Sequence, residues 1–146
     1  MGEFYRLMFN NSHSQYAPDG STTLKGRVDD PTLATAIAAA IAADDRKADN
    51  IKLLKVTEVS YLADYFLIVT GFSNTQVRAI YQAIIQKVEE ENQRQPLRID
   101  GQSEGSWIVV DYGDVMIHIL LPEEREFYNL EAFWGHAEKI SWSALT

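Results

Sequence analysis

Three groups of residues in this 146-residue chain have the types and spacing for chemistry. Gly71-Phe72-Ser73 stands between an apolar run and an amphipathic segment. A strand–turn–helix of that kind can aim backbone N–H groups at an anion, and nucleotidyltransferases carry a Gly-Ser pair there. Such enzymes also need two carboxylates on the following strand to hold Mg²⁺. The residues about ten to fourteen positions on, Ala83 to Lys87, include no Asp or Glu, so a plain turn and helix cap is the better reading. Asp111 and Asp114 flank Tyr112-Gly113. Paired carboxylates can bind metal or act as acid and base, but aspartates beside a turn glycine commonly serve the turn. His118 lies in an apolar run, and neither His13 nor His136 stands at ligand spacing from it, which makes it a packed core or interface histidine rather than a ligand. Dinucleotide fingerprint, P-loop and nucleophile elbow are all missing. No catalytic residue, cofactor or metal is expected.

The elements that must position these residues are legible in the pattern. Asp30-Pro31 is an N-cap followed by a first-turn proline. Leu33, Ile37 and Ile41 follow among alanines, predicting a helix to about Lys47. Ile51 and Leu53, with Val56, mark a strand, and Tyr65 to Thr70 is an unbroken apolar and β-branched run, a strand covered on both faces. Ser73 and Gln76 suit a capping box. Val77, Ile80, Tyr81, Ile84, Ile85 and Val88 then recur at helical steps, with Glu89-Glu90-Glu91 as the solvated end. Leu97 to Ile99 reads as a short strand. Trp107 to Tyr112 and Val115 to Leu121 read as a hairpin around Tyr112-Gly113-Asp114. Pro122 ends it, and Glu123 to Trp134 reads as short helical turns. The expected fold class is α/β: one mixed sheet with helices packed on it. The polar, irregular residues 1–30 are expected to be a mobile extension, and residues 31–140 one domain.

Composition narrows the function. Apolar residues make up 46% of the chain and charged residues 23%, an ordinary globular balance. No apolar run approaches the ~20 residues that span a bilayer. Cysteine is absent, which excludes disulfides and thiolate metal sites. The first residues lack a signal-peptide pattern, and Arg6 stands where a myristoylation motif needs Ser or Thr, so a cytoplasmic protein is expected. Of the net charge of −8, residues 100–146 carry −7, from nine acids against Arg125 and Lys139. Phosphate-backbone binding needs clustered Lys and Arg, so direct DNA binding is not expected and a basic protein is the better partner. Aromatics crowd the same stretch. The predicted partner face is centred on Trp107, Tyr112, Tyr128 and Trp134, with Asp111, Asp114 and Glu131 as its charged rim. The rival reading puts those rings in the core.

Four blocks carry a family pattern. Asp45-Arg46-Lys47-Ala48-Asp49-Asn50-Ile51, Asp64 through Ile80 (D-Y-F-L-I-V-T-G-F-S-N-T-Q-V-R-A-I), Trp107 through His118 (W-I-V-V-D-Y-G-D-V-M-I-H) and Glu124 through Trp134 (E-R-E-F-Y-N-L-E-A-F-W) resemble, in order and spacing, the motifs of the ribosomal silencing factor family, also called Iojap. The resemblance covers about residues 32–136. Asp100-Gly101 stands where the family usually has Glu-Gly, and Leu120 where it often has an aromatic. The resemblance implies a nucleotidyltransferase-like topology without that activity. It implies binding to the large ribosomal subunit through its basic protein number fourteen, obstruction of small-subunit joining, repression of translation, and a homodimer when free. An enzyme acting on nucleotides through the Gly71 turn and a scaffold for another basic partner are the alternatives.

Overall fold

The computed structural model describes residues 30–58, 60 and 62–145. The expected extension lies, apart from Asp30, outside the described residues. Helix α1 (Pro31–Asp45) opens as its sequence predicts, with the Asp30 carboxylate accepting from Thr32 N–H at 2.9 Å. Its buried side is not the Leu33/Ile37/Ile41 row but Leu33, Thr35 and six alanines, with Ile37 and Ile41 half-buried. Small side chains let the helix axis approach its neighbours closely, so the alanine face is the one that packs. Strand β1 (Asp49–Lys55) and the fully buried β2 (Tyr65–Thr70) pair antiparallel. Helix α2 (Asn74–Asn92) packs against α1 and buries Val77, Ile80, Ile84 and Val88. Strands β3 (Arg98–Asp100), β4 (Trp107–Asp111) and β5 (Val115–Leu120) follow. The short helices α3 (Pro122–Tyr128) and α4 (Leu130–Phe133) come next, broken apart at Asn129, which is left-handed. The tail, without a predicted element, forms β6 (Glu138–Ile140) and a 3₁₀ turn (Trp142–Leu145), with Trp142 packed on the core.

The six strands form one mixed sheet in the order β3-β4-β5-β2-β1-β6. Only the central β2–β5 pair is parallel. Strand alternation divides the core in two. Tyr65, Leu67, Val69, Ile108, Val110, Ile117 and Ile119 meet α1 and α2. Phe66, Ile68, Trp107, Val109, Met116 and Leu120 meet Leu130 and Trp134 on the opposite face. Among the described residues, no helix is long and apolar enough to cross a membrane.

Candidate partner-binding face

The residues predicted to form one face are dispersed. Trp107, Tyr112 and Trp134 are 1%, 2% and 2% exposed, so they are core and not surface anchors. Trp107 and Trp134 lie in the apolar layer under α3 and α4. Tyr112 lies in the layer beneath α1 and α2, because it is offset from Trp107 by an odd number of residues. Nor does the hairpin bring Trp107 to Asp114. The ladder pairs Trp107 with Leu120 and Asp111 with Met116, and four residues of strand separate the two ends by roughly 13 Å. Tyr128 and Glu131, on α3 and α4, keep part of their surface exposed, and so do Asp111 and Asp114 at the hairpin turn.

At the turn end the carboxylates work within the fold. Asp111 Oδ1 accepts from Gly113 N–H at 2.7 Å, fixing a turn in which Gly113 has φ +92°, a conformation glycine adopts freely. Asp114 accepts from both Arg94 terminal nitrogens, at 3.1 and 2.8 Å, and from the Thr32 hydroxyl at 2.7 Å. Arg94 also donates to Thr35 Oγ1 and Tyr112 O and lies over the Tyr112 ring. This clasp joins α1, the residues after α2 and the hairpin turn. Partial burial alone would raise the Asp114 pKa, but the bonds from Arg94 and Thr32 and the Arg94 charge hold it below the usual carboxylate range. Burial pushes the Tyr112 hydroxyl up to about 12.

His118 is fully buried, as a core histidine should be. Its Nδ1 accepts from Trp107 Nε1–H at 3.2 Å, and its ring lies 5.0 Å from Phe66. Desolvation pushes its pKa down to about 3, so the imidazole is neutral at physiological pH. Tyr128 packs on Trp107 with ring centroids 4.8 Å apart and the planes tilted by 47°, and Phe127 meets Tyr128 edge-on at 4.9 Å. Phe127 is 80% exposed and Phe72 62%. The large rings that face solvent here are therefore two that the predicted set left out. The sequence signal for them is weak: one sits in a turn and the other in a helix of only seven residues, too short for a clear periodicity.

Beside them, Asp49, Asn50, Thr70, Phe72, Pro122, Arg125, Glu126, Asn129 and Glu131 line an open depression of about 340 Å³. Its floor is the buried Arg125. The guanidinium donates to Thr70 Oγ1 at 2.9 Å and to both Glu131 oxygens, at 3.2 and 3.1 Å. Lys52 adds a longer contact to Glu131, 3.8 Å. The predicted rim acid Glu131 is thus already engaged, and it holds α4 against the sheet. The neighbouring Gly71 turn is a helix start. Ser73 Oγ accepts from Gln76 N–H, and Gln76 Oε1 accepts from Phe72 N–H, one residue earlier than a standard capping box. A Cβ on Gly71 would stand 2.9 Å from Val77 Cγ2, so this glycine serves close packing of α2. Among the described residues, no group of three or more His, Asp or Glu is placed to hold a metal ion.

Comparison with known proteins matches this chain to one family. The profile described as "Ribosomal silencing factor during starvation" matches residues 29–146. Ribosomal silencing factor RsfS of Bacillus subtilis is 43% identical over 99 residues, covering 68% of this chain and 83% of that protein. The chain belongs to the ribosomal silencing factor family. Chloroplastic protein Iojap of Zea mays is 38% identical over 120 residues, covering 81% of this chain and 51% of that protein. A crystal structure of a Chromobacterium violaceum protein superimposes with a TM-score of 0.68 at 32% identity, covering 71% of this chain and 86% of that one. The fold is therefore that of known relatives, and the family is one of ribosome-associated translation regulators. Placed on the structure, three of the four blocks that resemble ribosomal silencing factors meet at the depression. The first supplies Asp49 and Asn50, the second Thr70 and Phe72, and the fourth Arg125, Glu126, Asn129 and Glu131. The third forms the β4–β5 hairpin and does not line the depression.

Proposed function

We propose that this chain is an anti-association factor. It binds the large ribosomal subunit through the basic protein number fourteen, holds the small subunit off and so represses translation in the cytoplasm, without chemistry of its own. Membership of the ribosomal silencing factor family is the observation that carries this reading. The folded unit of the proposal is the domain from residue 31 to at least 140. Its docking face is the end of the molecule formed by α3, α4 and the depression beside them. There Glu123, Glu126 and Phe127 are exposed and Tyr128 partly so, an aromatic and acidic surface suited to a basic protein. The free protein is a homodimer in the same reading. The alternative of a nucleotide-directed enzyme has against it the turn at Gly71, whose Phe72 and Gln76 amides are already satisfied within the protein.

Sedimentation of purified subunits tests the proposal. The protein is expected to travel with free large subunits and not with small ones, and to reduce the joined fraction when both are mixed. Co-sedimentation with small subunits alone would sink it.

A further inference from the structure

We infer that the depression between β1 and α3 is a pocket for one cationic side chain, lysine or arginine, of the protein partner, with Phe72 as its apolar wall and Asp49 and Glu126 as its counter-charges. This deepens the docking reading above and rests on it.

The wall is built before any partner arrives. Phe72 is 62% exposed, yet its root is tied down. Its N–H is held by Gln76 Oε1 at 2.7 Å, and Gln76 Nε2 donates to the Arg46 and Lys47 carbonyls, at 3.1 Å each. One glutamine thereby locks the β2–α2 turn to the end of α1. A backbone already fixed at Phe72 removes that part of the ordering cost on binding and leaves only the side-chain rotation to be ordered. The backbone of β1 is also shaped for the pocket. Successive strand residues ordinarily point to opposite faces, but Asp49 and Asn50 both line the depression. A register shift between Asp49 and Lys52, with Asn50 at φ 49°, makes this possible; bulges re-aim side chains in this way.

Charge selects the occupant. The lining carries Asp49, Glu126 and Glu131 against Arg125. Arg125 spends its donors on Glu131 and Thr70, so that pair is internally neutral, and Lys52, 3.8 Å from Glu131, does not line the depression. Asp49 and Glu126 make no ion pair with another described residue. Two uncompensated carboxylates beside an exposed ring fit a cation whose stem lies on apolar surface and whose head faces the acids. They repel a nucleic-acid phosphate.

The test is binding of the full chain to immobilised large subunits at low and high salt. Wild type is compared with Phe72→Ala and with the double variant Asp49→Asn, Glu126→Gln. All three side chains are exposed, so melting temperatures should match wild type. Phe72→Ala is expected to weaken binding about tenfold, mainly through faster dissociation. The double variant should weaken it about tenfold at low salt and much less at high salt, as expected for exposed charges. Wild-type binding that neither variant alters would overturn the pocket and leave the docking reading standing. Binding to protein-free large-subunit RNA as tight as to whole subunits would overturn a protein cation as the occupant. No binding of wild type to large subunits would remove the docking reading, and the pocket with it.

Discussion

His118 and Asp114 are both titratable and both shifted down, His118 by burial and Asp114, against burial, by its bonds to Arg94 and Thr32 and the Arg94 charge. The buried His118 is held neutral down to about pH 3, whereas an unfolded histidine titrates near 6.5. Between those values the unfolded chain binds a proton that the folded one refuses. Stability is therefore complete above about pH 6.5 and falls as the pH drops below it, by up to ~1.4 kcal/mol per pH unit for this one proton. His118→Gln retains an acceptor for the Trp107 indole and should flatten that dependence between pH 6.5 and 5. Urea unfolding at several pH values measures it, and parallel slopes for wild type and variant would refute the assignment. Asp114 has a depressed pKa, so its contribution is present above the ordinary carboxylate range and is lost as the pH falls through the lower folded value. Asp114→Asn leaves Arg94 half-paired at the clasp and should cost ~1–3 kcal/mol. Because the clasp lies at the far end of the hairpin from the depression, the variant should leave the association rate with large subunits unchanged at low salt. A stable Asp114→Asn that binds slowly would return this residue to the partner face.

At the scale of elements, the hairpin and its approach loop decide which side chains are available for binding. Gly101 closes the turn between β3 and β4 at φ +89°, and a Cβ there would stand 2.1 Å from the Trp107 carbonyl oxygen. Both backbone conformation and space therefore demand glycine. Gly101→Ala is expected to cost at least ~2 kcal/mol and to loosen Trp107, which supports Tyr128 from beneath. The fluorescence of Trp107, Trp134 and Trp142 should report this as a lower unfolding midpoint with a red-shifted native spectrum. A variant with the wild-type midpoint would contradict the packing described. Periodicity placed α2, β2, β4 and β5 almost residue by residue because each carries a long uninterrupted signal. β6 escaped notice because three residues, Glu138-Lys139-Ile140, offer only one buried position. They form a strand because β1 presents them with an open edge.

For the whole molecule, the charge asymmetry and the exposed rings set the terms of association. The expected homodimer was motivated by apolar surface beyond what one domain buries. The structure removes most of that surplus: the hairpin strands, Leu130 and Trp134 are buried within the chain. Phe72, Leu97 and Phe127 are the large apolar side chains left exposed among the described residues. A two-fold contact centred on Phe127 would cover the most exposed of them and lie beside the proposed docking pocket, so dimerisation and ribosome binding would compete. Light scattering at micromolar concentration should give twice the 16.5 kDa chain mass, and Phe127→Asp should halve it. A wild-type protein at monomer mass refutes the dimer.

The amino-acid sequence alone determined the element order as far as the short helices, the two-sided burial of β2, the helix caps at Asp30 and Ser73, the core histidine and the family. Each of these is written in residues close together in the chain, as periodicity, cap chemistry or an ordered motif. Sequence could not decide which aromatic residues face water. Trp107, Tyr112 and Trp134 look no different in sequence from Phe72 and Phe127, yet only the last two are exposed. That assignment depends on which sheet face α3 and α4 cover and on how far α1 can close on its alanines, and both are set by contacts between segments distant in the chain. The partnership of Asp114 with Arg94, twenty residues before it, is tertiary for the same reason, while that of Glu131 with Arg125, six residues before it, depends on the left-handed break at Asn129. An acid on the surface and an acid in a clasp are the same letter until the fold brings the arginine to one of them.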